Sequence, residues 1–357
     1  NFIQLNLYDY YCNMDELDHK TLNLHFILGK ERTGSSMLTA MLNQNATVIS
    51  PSEEPFMVYF EKKYHEKKVW TKEDITKFLN AFWLMHEKNL EYYFSTFNVA
   101  LDSMLKLSEN RKLDYVDFCK NMYLQFLPHK DKTQVSTIVD KQLKYCFYIK
   151  SLFNLSPKSK IIFITRDPRE NVIRCQKRKI GKVLNTAYQA QIWNEYFKNI
   201  ALAKKYFGKQ CLVIKYENLV ESPVPTLQKI CNHLETQYND SMLNFDQSTA
   251  RFLDKKTKDK TNVKFGEKIA DFHSSLIKPL DKNKIATWKH HESQSDIRLI
   301  EKITNKVATE LDYNFSSPAY KLGLMDNLMI VLAKWNKTYL LKFYLVIPLD
   351  IKLMIKR

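Results

Sequence analysis

The chain is 357 residues long; 45% of its residues are hydrophobic and 26% are charged, with few glycines and prolines. This composition is that of a folded globular protein and excludes a disordered or low-complexity chain, while the length suffices for one large α/β domain or two small ones. The formal net charge of +16 predicts an anionic partner: phosphate, sulfate, an acidic glycan, nucleic acid or an anionic membrane.

The cysteines and the N-terminal residues bear on compartment and metal content. The six cysteines show no metal-ligand spacing, and buried free thiols are the simplest interpretation, so we predict no metal site. Residues 1–20, an N-terminal extension, contain no basic leader followed by an apolar core. No apolar run is long enough to span a bilayer, so we expect a cytoplasmic location, with peripheral membrane contact as the alternative.

The first predicted elements lie within LHFILGKERTGSSML, residues 24–38. An apolar run bounded by Gly29 predicts a buried strand, a polar turn follows, and an apolar-periodic helix begins within Gly34-Ser35-Ser36. A strand, a glycine turn and a helix N-terminus together form a geometry that binds phosphate through backbone N–H groups. An ordinary strand-to-helix turn with two glycines is the alternative.

This turn departs from the nucleotide triphosphatase pattern at one position. The spacing Gly29-x-x-x-x-Gly34 matches the phosphate-binding loop, but Ser35 stands where a triphosphatase has lysine. The cation lies inside the loop, at Arg32. We therefore expect the loop to bind a terminal phosphate group but to be poorly suited to cleaving ATP.

A paired carboxylate follows the second predicted strand. Residues 46–50 read as a short strand, and Glu53 and Glu54 come just after its end. The carboxyl edge of a parallel sheet is where ligand sites form, which favours a role in a site. The alternative is a helix N-terminal pair that interacts with the helix dipole.

Residues from about 70 to 130 have the aromatic and aliphatic spacing of helices and predict a helical insertion that covers the sheet or walls an acceptor site. A strand is predicted over 134–139, ending at Asp140-Lys141, and a helix over about 145–155. The next strand, 160–165, leads into a helix rich in Arg and Lys. Arg166 lies at the strand exit, and Arg174 and Arg178 share one helix face. We interpret them as a second phosphate site, with a solvated charged face as the alternative.

The remaining elements complete an α/β pattern. A helix is predicted over 187–207, a strand over 211–215, and helices over about 223–234 and 296–311. Strands alternating with helices predict a central parallel sheet flanked by helices. Residues 316–357 form an apolar and basic tail. Packing on the domain is its simplest interpretation, with oligomer contact or a membrane surface as alternatives.

Three segments together resemble the sulfotransferases that use 3′-phosphoadenosine 5′-phosphosulfate: FILGKERTGSSML, KIIFITRDPRENVIRCQKRK and CLVIKYENLVESPVPTLQKICNHL. They look like the family's 5′-phosphosulfate loop, its 3′-phosphate element and its strand ending in Tyr-Glu-Asp-Leu. The likeness covers roughly residues 22–312 and implies a P-loop-containing nucleotide-binding fold over 21–315. Glu53-Glu54 and SSLIKPLDKNKIATW are most similar to the tyrosylprotein sulfotransferases and their bacterial relatives.

The resemblance implies roles for particular residues. The 5′-phosphosulfate would be held by Arg32, Thr33, Gly34, Ser35 and Ser36. The remaining cofactor contacts would come from Arg166 and Arg178 at the 3′-phosphate, Tyr216 at the adenosine, and Ser274, Ser275 and Lys278 over the cofactor. Glu54 matches the general base, but one extra residue before the pair leaves Glu53 open.

The sequence departs from the family pattern at three positions. Arg174 replaces the 3′-phosphate serine, only Lys141 survives of the usual Lys-Thr-Pro, and Thr287 replaces a basic residue before the late Trp288. The cysteines reproduce no evident disulfide framework of secreted tyrosylprotein enzymes, which weakens the case for a tyrosine acceptor. Sugar, lipid, small-phenol and tyrosine hydroxyls all stay open.

The mechanism that the resemblance implies is an in-line sulfuryl transfer without a metal, in which Arg32 stabilises developing charge and a glutamate takes the acceptor proton. A P-loop small-molecule kinase is the rival enzyme, and Ser35 speaks against it. A non-catalytic binder of acidic polysaccharide or nucleic acid is the rival outside enzymes, consistent with the charge of +16.

Overall fold

The computed structural model describes residues 21–51, 53–87, 99–125, 132, 134–181, 183–247, 276–315 and 320–355. Its centre is a five-stranded parallel sheet in the order β2-β3-β1-β4-β5. The strands are β1 (Asn23–Gly29), β2 (Val48–Ile49), β3 (Thr137–Lys141), β4 (Ile161–Thr165) and β5 (Cys211–Lys215). The predicted α/β fold with a central parallel sheet is therefore confirmed.

Both faces of the sheet are buried, which explains why the strands read as continuous apolar runs. Successive side chains point to opposite faces: Phe26 joins the larger core with the helical insertion, whereas Ile27 joins the smaller core beneath the loop helix. Phe163 and Ile164 on β4 divide in the same way. The strands' carboxyl ends consequently share one edge, where the loops that follow β1, β3, β4 and β5 meet.

The helices before β4 include the insertion. They are α1 (Ser35–Leu42), α2 (Phe56–Tyr59), α3 (Glu61–Tyr64), α4 (Lys72–Glu87), α5 (Leu101–Ser108), α6 (Tyr115–Tyr123) and α7 (Ile149–Leu155), the last preceded by a 3₁₀ turn, Leu143–Tyr148. Aromatic packing joins this group: Trp70 stacks on Phe118 with ring centroids 3.6 Å apart, and Phe56 lies 4.9 Å from Tyr123. These rings secure the insertion over one face of the sheet.

The helices after β4 are α8 (Pro168–Lys177), α9 (Thr186–Phe197), α10 (Asn199–Phe207), α11 (Tyr216–Glu221), α12 (Pro223–Leu234) and α13 (Gln294–Thr309). The predicted helix over 187–207 is thus two helices with Lys198 between them. The short 3₁₀ turns Gly208–Gln210, Asp240–Asn244, Lys282–Lys284 and Thr287–His290 link other elements. Beneath the sheet, α12 packs into the same core as the loop helix α1.

The tail folds as helices against the domain. It comprises α14 (Leu324–Trp335), a π-helical turn (Asn336–Leu340), α15 (Leu341–Val346) and α16 (Leu349–Ile355). Asn336 donates to the Tyr188 hydroxyl at 2.8 Å, and Thr338 donates to the Glu195 carboxylate at 3.1 Å, which places the tail along α9. Among the described residues, no helix is long and apolar enough to cross a bilayer.

Candidate functional site

The site is built on the loop between β1 and α1. The backbone of Arg32 has φ +67° and that of Gly34 has φ +88°, so the chain reverses sharply before the helix begins. The Thr33 hydroxyl donates to the carbonyl of Lys30 at 2.7 Å and fixes this reversal. The first N–H groups of the eight-residue helix α1 are therefore presented at the end of a buried strand, as in an anion-binding cradle.

Tyr216 closes one side of this cradle. It begins α11 directly after β5, and its ring lies so close to Gly34 that a Cβ there would be 2.3 Å from Cδ2 of the ring. The Arg166 guanidinium lies 3.8 Å from the centroid of the same ring, a cation–π stack. Three separate chain segments thus pack together here, through Gly34, Tyr216 and Arg166.

A cavity of about 360 Å³ opens between the loop and α8. It brings together most of the residues that the sequence singled out. Those that line it are Arg32, Gly34, Ser35, Ser36, Arg166, Arg174, Arg178, Tyr216 and Lys278. Thr33 is fully buried beneath the loop, and Ser274 and Ser275 lie outside the described residues. Loop and charged helix therefore face one another across a single space.

The cavity is strongly cationic. Burial lowers the pKa of Arg32, and the positive charges of Arg178, Arg166 and Arg174 lower it further. Burial likewise lowers the pKa of Arg166, whose Nε has no hydrogen-bond partner among the described residues. Such crowding of buried cations is unfavourable without an anion, so the residues fit an anionic ligand.

Glu170 offsets part of this charge. Its carboxylate accepts from Nε of Arg174 at 2.5 Å and lies 3.7 Å from Arg166. It also accepts from the Thr287 hydroxyl at 2.7 Å and the Trp288 backbone N–H at 3.1 Å. The like charges of α8 are therefore held together partly by a protein carboxylate, which the sequence interpretation overlooked.

The segment around Lys284 roofs the cavity. Arg166 donates to the Lys284 carbonyl at 2.8 Å and to the Arg32 carbonyl at 3.3 Å, and Arg174 donates to the Lys284 carbonyl at 3.1 Å. Lys177 and Lys284 add two cations that the sequence did not assign to the site. Lys177 lies on the same charged helix, so its position on that helix could have indicated that it belongs to the site. No sequence motif marks Lys284.

The two adjacent carboxylates lie in different environments. The Glu53 carboxylate pairs with Nζ of Lys141 at 3.0 Å, and the same Nζ is 3.3 Å from the Ser36 hydroxyl of α1. Glu54 is only 3% exposed. Lys141 thus links the carboxyl end of β3 to the loop helix and to Glu53.

Asp140, next to Lys141, is a buried neighbour of this region. It accepts from the Tyr123 hydroxyl at 2.6 Å and the Gln142 amide at 3.0 Å. Burial raises the pKa of Asp140 to about 8, and the charge of Glu54 contributes in the same direction. The carboxylate pair therefore lies beside a carboxyl group that favours its protonated form.

A polar contact that no sequence motif indicates joins the loop to the C-terminal tail. The Tyr196 hydroxyl donates to the Glu31 carboxylate at 3.2 Å, and Nζ of Lys337 lies 5.2 Å from the Tyr196 ring centroid. Burial acts to raise the pKa of Glu31, but the charges of Lys30 and Lys337 more than offset this and hold it below its ordinary value. The tail thereby contributes charge beside the loop.

Arg169, part of the same basic run, has a structural role. Its guanidinium pairs with Asp167 at 2.7 Å and Glu301 at 2.8 Å and lies 3.6 Å from the Trp288 ring centroid.

Among the described residues, no group of three or more His, Cys, Asp or Glu side chains is arranged to hold a metal ion, and the five described cysteines are free thiols.

Comparison with known proteins extends these observations. The model of the sulfotransferase family matches residues 25–240, more than half of the chain. The chain is 22% identical over 187 residues to a putative protein-tyrosine sulfotransferase of Caenorhabditis briggsae, with 50% of this chain and 62% of that protein covered. It is 28% identical over 151 residues to a protein-tyrosine sulfotransferase of Drosophila melanogaster, with 41% and 28% covered. The matches thus span less than two thirds of either relative.

Among solved structures, the sulfotransferase domain of an olefin synthase from Synechococcus PCC 7002 is similar. The TM-score is 0.52 at 19% sequence identity, and the alignment covers 84% of this chain and 98% of that domain. At this identity the likeness concerns the fold. The match to the family model confirms the resemblance to sulfotransferases that the three sequence segments predicted.

Proposed function

Because the chain belongs to the sulfotransferase family, we propose that it transfers a sulfuryl group from 3′-phosphoadenosine 5′-phosphosulfate to an acceptor hydroxyl. The observation that carries the proposal is the cavity in which Arg32 of the loop and Ser35 at the start of α1 face Arg174 of α8 and Arg178 directly after it. A nucleotide with phosphates at both ends of its ribose complements two cationic clusters across one space.

The binding roles follow from the position of each side chain. Arg32, Ser36 and the first N–H groups of α1 would hold the 5′ end, where the helix dipole favours negative charge. Arg166, Arg174 and Arg178 would hold the 3′-phosphate, and the Tyr216 ring would lie against the adenosine. Arg174, at the position of the family's serine, keeps donor capacity because guanidinium carries five N–H groups.

The chemistry assigned to the protein's own groups is electrostatic and acid–base. The donor supplies the sulfuryl group, and no metal is needed to account for the residues present. Arg32 stays protonated and stabilises charge that develops beside the loop. Lys141, between Ser36 and Glu53, adds a second cation at the loop helix.

We assign different tasks to the two glutamates. Glu54 takes the acceptor proton, since it holds the position of the general base in the family that the sequence resembles. Glu53 holds Lys141 toward the loop through its 3.0 Å ion pair. The alternative is that Glu53 is the base, and isosteric Glu→Gln variants at the two positions distinguish these assignments.

The identity of the acceptor is also part of what we propose. Both curated relatives are named protein-tyrosine sulfotransferases, so a tyrosine peptide is the first acceptor to test, followed by sugars, small phenols and lipids. The test incubates protein, donor and acceptor and follows the mass gain of one sulfuryl group. Arg178→Ala should lose transfer, and Arg298→Ala, an exposed arginine on α13, should retain it.

Failure of every acceptor in the panel, with nucleotide binding intact, would count against the acceptor classes chosen. Preference for ATP with magnesium would support a P-loop kinase instead. Salt-sensitive binding of acidic polymers without preference for the bisphosphate would support a non-catalytic binder.

A further inference from the structure

The tail helices have a fixed inner face. Ala333 is fully buried, Met329 and Tyr344 pack against the main core, and Asn336 bonds to Tyr188. The π-helical turn between α14 and α15 keeps Asn336, Lys337 and Thr338 on this inner side. The orientation of the tail about its own axis is therefore set by specific contacts.

The outer face of the same helices is apolar. Among the described residues, sixteen large hydrophobic side chains are exposed, and twelve of these lie between Leu324 and Met354. Six of the twelve follow helical spacing along one stripe: Leu324, Leu328, Val331, Trp335, Tyr339 and Phe343. Twelve of the sixteen exposed large hydrophobic side chains thus lie in this one segment, and such a concentration of exposed apolar side chains marks a protein or membrane interaction site.

The charges around this stripe are positive. Lys321 and Lys334 are exposed on the tail itself, and Lys62 reaches the carbonyl of Val346 at 3.4 Å. The tail's acidic groups are both engaged. Asp326 accepts from the N–H of Gly323 at 2.9 Å, and Asp350 pairs with Lys63 at 3.1 Å. A second copy of the chain would bring another charge of +16 against this face, whereas an anionic surface would be attracted.

We propose that residues 324–354 bind the surface of an anionic lipid bilayer, with the stripe from Leu324 to Phe343 lying in the headgroup region and the basic side chains at its border. An apolar helix face flanked by Lys is the arrangement of an interfacial helix, which lies in the membrane plane and does not cross it. Because the inner face stays packed on α9, the catalytic domain is held against the membrane in one orientation.

The experiment measures co-sedimentation of the full chain with vesicles of phosphatidylcholine, with and without phosphatidylserine. The wild-type protein should bind the phosphatidylserine vesicles, and added salt should weaken binding. The double variant Trp335→Asp/Phe343→Asp should bind these vesicles at least about tenfold more weakly than the wild type, since it replaces apolar side chains that are 53% and 64% exposed. Leu202→Asp, at a 40% exposed position on α10, is the matched control and should bind as wild type.

A second measurement reports on the stripe directly. Trp335 fluorescence should shift to the blue on adding phosphatidylserine vesicles, and Trp335→Phe should abolish the shift. Unchanged melting and nucleotide affinity of the double variant would show that only the surface has changed. The proposal is overturned if the wild type binds neither vesicle or if the double variant binds equally. It is also overturned if the wild type forms a dimer that the same double substitution breaks.

Discussion

In the proposed mechanism, Arg32 is the loop residue that contributes most to catalysis. Its guanidinium lies within the loop and shares the cavity with Arg166 and Arg178. Arg32→Ala should lower turnover about 100-fold or more, as removal of a single preorganised donor does in other enzymes. Steady-state transfer assays would measure this, with Arg298→Ala as the control. Near-normal turnover of Arg32→Ala would remove the loop from the catalytic machinery.

The glutamate pair is resolved by two isosteric variants. Glu54→Gln should abolish transfer while leaving affinity for 3′-phosphoadenosine 5′-phosphate unchanged, because the base touches the acceptor and not the nucleotide. Glu53→Gln should retain part of the activity, since it loses only the ion pair that positions Lys141. The reverse order of activities in single-turnover assays would exchange the two roles.

At the scale of elements, the loop and the start of α11 form one packed unit. Gly34→Ala would combine backbone strain at φ +88° with a 2.3 Å approach to the Tyr216 ring. Gly208→Ala, at φ +54° and ψ −123° with nothing within 4 Å of the added Cβ, supplies backbone strain in a different positive-φ region without the clash. Each should cost about 1–3 kcal/mol of stability from strain, but Gly34→Ala alone should lose nucleotide binding.

Thermal melting and nucleotide titration of both glycine variants would check this. Equal nucleotide affinity of the two variants would mean that the packing of Tyr216 on the loop does not shape the site.

The elements were predictable where local signals sufficed. Strands β1, β4 and β5 and the helix α12 agree closely with the apolar runs and proline starts in the sequence. The second strand is shorter than predicted, Val48–Ile49, because at the sheet edge only these two residues pair with β3. The tail was interpreted by composition alone, although the spacing of its apolar residues is typical of helices. The inward-facing position of Lys337 depends on packing against α9 that no local pattern encodes.

At the scale of the whole molecule, the pairing of β1 with β4 contributes a pH dependence. Nδ1 of His25 accepts from the Lys160 backbone N–H at 3.0 Å, and burial, reinforced by the charge of Lys160, lowers the pKa of His25 to about 4. The unfolded chain binds this proton near pH 6.5, so stability is lost as pH falls from 6.5 toward 4. The loss amounts to about 3 kcal/mol from this group.

Chemical denaturation at several pH values would measure this loss. His25→Gln should flatten the dependence in that window, and exposed His290→Gln should leave it unchanged. An identical pH profile for His25→Gln and wild type would contradict the assignment to His25.

The sequence best predicted which residues of the candidate site lie close together in the fold. A parallel sheet brings the ends of β1, β4 and β5 to one edge, so Arg32, Arg166 and Tyr216 could be expected to meet. The ion pairs of Glu170 with Arg166 and Arg174 each join residues four apart, so the sequence could have indicated them. The contact of Glu170 with Thr287 and the roof at Lys284 were not predictable, because both join segments more than 100 residues apart.

The central claim is that the loop and α8 together bind a nucleotide phosphorylated at both ends of its ribose. Calorimetric titration without magnesium should give an affinity for 3′-phosphoadenosine 5′-phosphate at least about tenfold above that for adenosine 5′-monophosphate, since one extra charge-assisted contact contributes about 1.5–3 kcal/mol. Arg178→Ala should remove most of that difference. Equal affinity of the wild-type protein for the two nucleotides would contradict the account.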